Sequence, residues 1–357
     1  MSRFATVRCL LMLVAVGASV PSASQDRQTN EISLYYKLVK DYRQGRAEPA
    51  IDALVAMSPL ATKGLVSSDD LGLPPEEMNA AALLETEAGF RSGSLTVLSA
   101  RLSNADLLLR RAHRELRRMK IDTRRQDDLR RQWFLTVGRK ALWMLIVGVA
   151  DAVLKDGCET FPDDAALHLT YGMARETDAF SVDYLASSDL ARFGPNLSSS
   201  YQRTAALTQA RSALERAVEL NPASAEARLR LGRVYVLLGE HNRAVPHLEQ
   251  ARAIDSLPAY RYLALLMLGD LQPRTGGIEP AIDLYLSARR LMPNAQSSYV
   301  AHAHALRIAG RAPEAAAVIG EMLGRGVHDD DPWTYYPRGF EFELTQLGPL
   351  RSLVQEK

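Results

Sequence analysis

The sequence predicts an all-α protein, a solenoid of stacked helix-turn-helix repeats, and three sets of recurring residues predict it. Gly138, Gly172, Gly232, Leu266 and Ala303 form one series of small or apolar positions, with steps of about 34, 60, 34 and 37 residues. Ala150, Ala210, Ala244 and Ala281 repeat the steps of about 60, 34 and 37, and Ala315 follows after about 34 more. Pro162, Pro222, Ser256 and Pro293 close the units at the same intervals. Three landmarks that keep one spacing mark a supersecondary unit that buries its apolar face by stacking on copies of itself.

The clearest unit is Ala225 to Ser256. Leu231, Val234, Tyr235 and Leu238 stand at helical spacing, and Gly239 follows where a helix end favours a left-handed residue. Asn242 is the expected N-cap of a second helix, with Ala244, Val245, Leu248 and Ala251 as its buried stripe. Pro246 is read as lying in that helix's first turn, where backbone N–H groups lack intrahelical acceptors.

These residues resemble the tetratricopeptide repeat (TPR) family. Leu231-Gly232 and Tyr235 match its first-helix motif, Ala244, Leu248 and Ala251 its second-helix motif, and Asp255 its closing residue. Arg228 stands where the family usually has Trp, and Ser256 where it has Pro; ELNPAS (219–224) and RLMPNA (290–295) each supply that Pro. The resemblance implies a right-handed α-solenoid, with units expected at about 131–164, 165–222, 225–258, 259–293 and 296–325. More degenerate units are expected near 31–58 and 76–120.

In chain order, residues 1–25 read as a secretory signal: Arg3 and Arg8 are the basic start, Cys9 to Val20 the apolar run, and Ser22-Ala23-Ser24 a small-residue exit, with Val16-Gly17-Ala18 as an alternative. The expected location is therefore outside the cytoplasm, periplasmic or secreted, in a bacterium, with no integral membrane span after cleavage. Cys158 is then the single remaining thiol and is read as a packing residue. Residues 26–130 are read as degenerate helical repeats and 131–325 as the regular ones. Within 110–131 an arginine-rich stretch reads as the solvated face of a long helix and its turn, or as a dock for an anionic surface. Ala141 to Leu154 is apolar but short and contains Asp151, so it reads as a buried hairpin.

The step of about 60 implies an insertion of about 26 residues near 176–203, a loop or a lengthened hairpin. The step of about 37 is assigned to extra residues at Gln272 to Gly277. Residues 326–357 carry Trp333, Tyr335, Tyr336, Phe340 and Phe342 without a further repeat, and are read as an aromatic cap on the last hydrophobic face, or as aromatics presented to a partner.

No phosphate-binding Gly loop, nucleophile elbow or zinc-helix motif occurs, so no enzyme activity, cofactor or metal is expected. His302 and His304 are two apart and point differently on a helix. His328 to Asp331 lacks the spacing of a calcium loop, and Asp331-Pro332 reads as a helix start. The formal charge of +1 argues against a nucleic-acid partner.

What remains is a surface. The resemblance implies a concave groove lined by each unit's first helix, through Leu135, Arg139 and Trp143, then Leu169 and Met173, then Leu229, Arg230, Arg233 and Val236. Tyr260, Leu263 and Met267, and then Val300, His304 and Arg307, complete it. Apolar with a few cations, this lining suits a protein or peptide partner with apolar anchors and an acidic group. The expected function is an exported, non-catalytic scaffold; the alternative is a structural component of a cell-envelope assembly that uses its convex face or the insertion.

Overall fold

The computed structural model describes residues 22–68, 71–187, 197–275, 277–325 and 331–355. The apolar run Cys9 to Val20, expected of a signal, the middle of the expected insertion and His328 to Asp330 lie outside the described residues. The chain divides into two units, one holding the residues up to Arg118 with Val354–Lys357, the other Met119–Leu353.

In the first unit, α1 (Ser22–Arg43), α2 (Ala47–Val55), α3 (Pro59–Ser67), α4 (Pro75–Arg91) and α5 (Leu95–Arg118) follow one another. Leu98, Leu102, Ala105, Leu109 and Ala112 form a buried stripe on α5, which packs against α4. Arg101 is wholly buried; it pairs with Glu85 at 2.8 Å and donates to the carbonyl oxygens of Leu54 and Met57. The Leu54 carbonyl also accepts from Met57 N at 3.0 Å where α2 ends, so the arginine adds a side-chain donor to the backbone bonds that close that helix.

The second unit is a stack of five hairpins among the described residues: α6 (Arg124–Trp143) with α7 (Val147–Thr160), α8 (Ala165–Ser187) with α9 (Leu197–Leu220), and α10 (Ala225–Leu237) with α11 (His241–Ala253). Then come α12 (Pro258–Thr275) with α13 (Ile278–Leu291), and α14 (Gln296–Ile308) with α15 (Ala312–Gly324). The paired helices close on small residues. A Cβ added at Gly138 would lie 2.5 Å from Leu154, at Gly172 2.6 Å from Leu214, and at Gly232 2.7 Å from Leu248. The backbones approach because nothing stands between them.

The fourth member of this series is Gly269 against Tyr285, not Leu266. The extra residues of the longer step therefore precede Gly269. They lengthen the start of α12 and do not fall at Gln272 to Gly277. The insertion after Gly172 is largely a lengthened hairpin, since α8 runs to Ser187 and α9 starts at Leu197. Helix α6 begins at Arg124, ahead of the boundary expected at 130/131.

Local signals behave unevenly. Gly239 has φ +79° and ends α10, as its position predicts. Asn242 is not an N-cap: α11 starts at His241, after Glu240, which makes no side-chain capping bond. Pro246 consequently sits inside the helix, where it deprives the Asn242 carbonyl of its N–H donor. Ala141 to Leu154 is the end of α6, a turn through Leu145 at φ +57°, and the start of α7. Among the described residues no single helix is long and apolar enough to cross a membrane.

After α15, α16 (Pro332–Tyr335), short 3-10 turns at Tyr336–Arg338 and Phe342–Thr345, and α17 (Gly348–Val354) end the chain. Asp331 caps α16 by accepting from Trp333 N at 3.0 Å, with Pro332 at the first position, as the dipeptide predicts. The described part of this segment meets the start of α14 but leaves the outer face of the last hairpin open. Ala150, Ala210, Ala244 and Ala281 are fully buried, but Ala315 is partly open, and Ile308 and Leu323 are 54% and 71% exposed.

Candidate functional site

Helices α6, α8, α10 and α12 touch in succession and form the inner layer of the second unit. Residues 331–345 run across that layer in the direction opposite to the repeats. Asp331 accepts from Ser297 N at the start of α14, α16 packs on α12, and the two 3-10 turns reach α6.

At the centre of the crossing is a buried carboxylate. Glu176 on α8 accepts from Arg230 at 3.2 Å, from Arg233 at 2.9 Å and from the Tyr336 hydroxyl at 2.9 Å. Arg230 also pairs with Glu226 one turn earlier at 2.8 Å and donates to the Tyr336 carbonyl at 2.9 Å. Two cations therefore face two carboxylates, and Arg230 and Glu176 are each 1% exposed. Burial works against the Arg230 charge, but Glu226, Tyr336 and Glu176 outweigh it and hold the guanidinium above its ordinary range. Burial, then Glu176, pushes the Tyr336 phenol upward, so it remains a donor.

Aromatic faces complete the cluster. The Arg230 and Arg233 guanidinium carbons lie 4.5 and 4.6 Å from the Tyr336 ring centroid, and Arg233 lies 4.3 Å from Phe180 and 5.2 Å from Trp333. Tyr260 donates to Glu226 at 2.9 Å and meets Phe340 edge to face at 5.4 Å. Thr177 donates to the Pro337 carbonyl at 3.3 Å, a Cβ at Gly339 would lie 3.2 Å from Met173 Cε, and Arg139 approaches Glu341 at 4.0 Å.

The groove set thus separates into three groups. Met173, Arg230, Arg233, Tyr260 and Arg139 meet the chain's own C-terminal segment. Leu229 and Leu263 are fully buried and Leu169 and Met267 nearly so, so they belong to the packing between helices. Leu135, Trp143 and Val236 are partly exposed, while Val300, at 48%, His304 and Arg307 are exposed on α14. In α12 the longer start moves every position along by most of a turn, so Tyr260 reaches the inner face from the added turn while Leu263 and Met267 are carried into the packing.

Glu176 and Glu226 were the residues to add. Glu226 stands four before Arg230, a helical ion-pair spacing, and Glu176 stands where α8's inward stripe continues past Met173. Beyond the filled stretch a cavity of about 480 Å³ stays open, lined by Gln296, Val300, His304, Trp333 and Thr334 among others. Among the described residues no cluster of His, Cys, Asp or Glu has the makings of a metal site. His302 is buried, with Nδ1 2.8 Å from Arg289, whereas His304 faces outward.

The tetratricopeptide repeat family model matches residues 205–271. No curated protein matches the chain. Among solved structures, a crystal structure of MamA is 20% identical, covering 53% of this chain and 93% of its own, with a TM-score of 0.40. A MamA structure from MSR-1 is also 20% identical, covering 55% and 96%, at 0.39. A thermophilic TPR protein in Thermus thermophilus is 25% identical, covering 63% and 98%, at 0.37. The helix pairing shows the second unit as a solenoid of helix-turn-helix repeats, and the tetratricopeptide match falls on residues 205–271 of it.

Proposed function

We propose that this chain is a non-catalytic TPR scaffold whose inner face holds a protein segment. One observation carries the reading: the inner face already holds residues 331–341, gripping main-chain carbonyls through Arg230 and Thr177 and an aromatic hydroxyl through Glu176. Carbonyl recognition is indifferent to sequence, and the aromatic pockets add selectivity. Because the central stretch is filled, a partner takes the remaining stretch along α14. Val300 and Trp333 supply apolar contact there, and Arg307 a cation for an acidic side chain or a terminal carboxylate. The basic, apolar and small-residue order of residues 1–25 supports export to a bacterial periplasm as the setting.

Photo-crosslinking from position 300 in the native envelope tests this. A crosslinked protein that disappears in Arg307→Glu, with helicity unchanged, is the expected result; an identical pattern with and without Arg307 overturns the groove reading. Reversing Arg230 is unsuitable, because it is buried between Glu176 and Glu226. A second reading, a building block of an envelope assembly, draws on the uncovered face of α15 with Leu323 exposed. Crosslinks from position 323 and not 300 would favour it.

A further inference from the structure

The lengthened start of α12 has a chemical consequence. It places Arg261 on a turn added ahead of the regular register, beside the ends of α11 and α13. There a cleft of about 630 Å³ opens, lined by Arg252, Arg261, Leu265, Ser287, Arg290 and Leu291, with Ala253 at its edge. No carboxylate lines it.

Along the repeats, ion pairing separates two of these arginines from the rest, although among the described residues Arg114, Arg117, Arg125 and Arg338, outside that stretch, are also without a side-chain partner. From Arg130 to Arg325, the described arginine side chains each have an interaction partner, with two exceptions, Arg261 and Arg290. Both exceptions face the same cleft, and both are exposed. Arg252, the third, is paired with Glu249. Arg252 and Arg290 sit in the last turns of α11 and α13, where a cation complements the helix dipole. Arg261 is in the opposite situation, in the first turn or so of α12, where the dipole is positive and no acid stands in that turn. Helix electrostatics thus disfavours Arg261, and no carboxylate pairs with it among the described residues.

We propose that this cleft binds a ligand carrying a phosphomonoester. With Arg252 matched by Glu249, the two unpaired guanidinium groups of Arg261 and Arg290 exceed what a single carboxylate would neutralise, whereas a phosphomonoester carries about −1.5 to −2 near pH 7 and accepts paired guanidinium donors. Leu265 and Leu291 give the carbon portion an apolar wall, and a cleft of this volume is in the range of small-molecule sites. Ser287 already donates to the Asp283 carbonyl at 2.8 Å, so recognition rests on the arginines. The site lies among α11, α12 and α13 and is independent of the peptide groove.

The full chain is titrated with phenyl phosphate, inorganic phosphate and benzoate by NMR or calorimetry at low salt, and with vesicles of phosphatidic acid against phosphatidylcholine. Saturable binding of phenyl phosphate at least ten-fold tighter than benzoate, lost at least ten-fold in the double variant R261Q/R290Q, is expected. Preference for phosphatidic acid vesicles over phenyl phosphate, with the same loss in the variant, assigns the same site to a lipid headgroup. Both side chains are exposed, so circular dichroism of the variant should match the parent; R290Q alone serves if it does not. No saturable binding of either phosphate probe up to about 10 mM, or equal binding by the variants, overturns the proposal.

Discussion

The Tyr336 hydroxyl donates to Glu176 across 2.9 Å and 160 positions of chain, in a fold whose helices pack mainly on their sequence neighbours. That bond, with the Arg230 contact to the Tyr336 carbonyl, ties the C-terminal segment to α8 and α10 together. A repeat stack is ordinarily a chain of nearest-neighbour interfaces. Here one segment crosses several of them.

Removing the two partners of this knot should differ in cost. Tyr336→Phe deletes one donor to Glu176, which keeps both arginines, and should lower stability by about 1–2 kcal/mol. Arg230→Ala leaves Glu176 and Glu226 poorly matched in a buried place and should lower it by about 3–5 kcal/mol. Urea unfolding of both variants checks the order; equal costs would mean that the arginine is not the keystone.

The small residues give a paired test. Gly232→Ala would put its methyl 2.7 Å from Leu248 and should cost about 1–3 kcal/mol through overpacking. Gly320→Ala, on α15 with nothing within 4 Å, should stabilise by about 0.5–1 kcal/mol through lower backbone entropy. A thermal melt that moves both the same way would refute the assignment of Gly232 to a close helix contact.

Much of this fold was legible because stacking demands the same small residue at the same step, so Gly138, Gly172 and Gly232 announce their helix pairs. Leu266 misled because an added turn preserves a local period while displacing the register; only Tyr285 opposite Gly269 reveals the true pairing. Tyr336 was visible as an aromatic in a tail, but its destination was not. Sequence spacing carries information about neighbours on one helix or in adjacent repeats, and nothing about a segment that folds back across several repeats. The arginines were found for the right charge and the wrong company: Glu176 lies in another helix, beyond any local pattern.

Cys158 should be unreactive. Burial first, then Asp164 and Glu159, push its thiol up to about 12. At pH 8 the thiolate fraction is then about three orders of magnitude below that of an ordinary thiol. Iodoacetamide should label the folded chain correspondingly slowly, with the rate rising toward pH 12, and label the urea-unfolded chain quickly. Because the folded value is raised, its contribution to stability is intact below about pH 8.5 and is lost as pH climbs through the folded value. Cys158 is half-buried, and fast labelling of the folded chain at pH 8 would contradict the raised thiol.

Mild acid should loosen the last hairpins through His302. Arg289 donates to its Nδ1 at 2.8 Å, which requires a lone pair there and hence a neutral ring. Burial first, then Arg289 and Arg311, hold its pKa below the usual value, against the opposing pull of Glu314 and Glu321. His247 is lowered likewise by burial, Arg228 and Arg243, opposed by Glu215. A depressed folded pKa contributes stability that is present above about pH 6.5 and lost as pH falls from there through the folded value. The melting temperature should therefore decline between about pH 7 and pH 5, before most carboxylates titrate. His302→Asn keeps an acceptor near Nδ1 but has no proton to gain, so its decline should be shallower than that of the parent chain. Equal slopes in the two proteins would mean that protonation of His302 is not what weakens the fold.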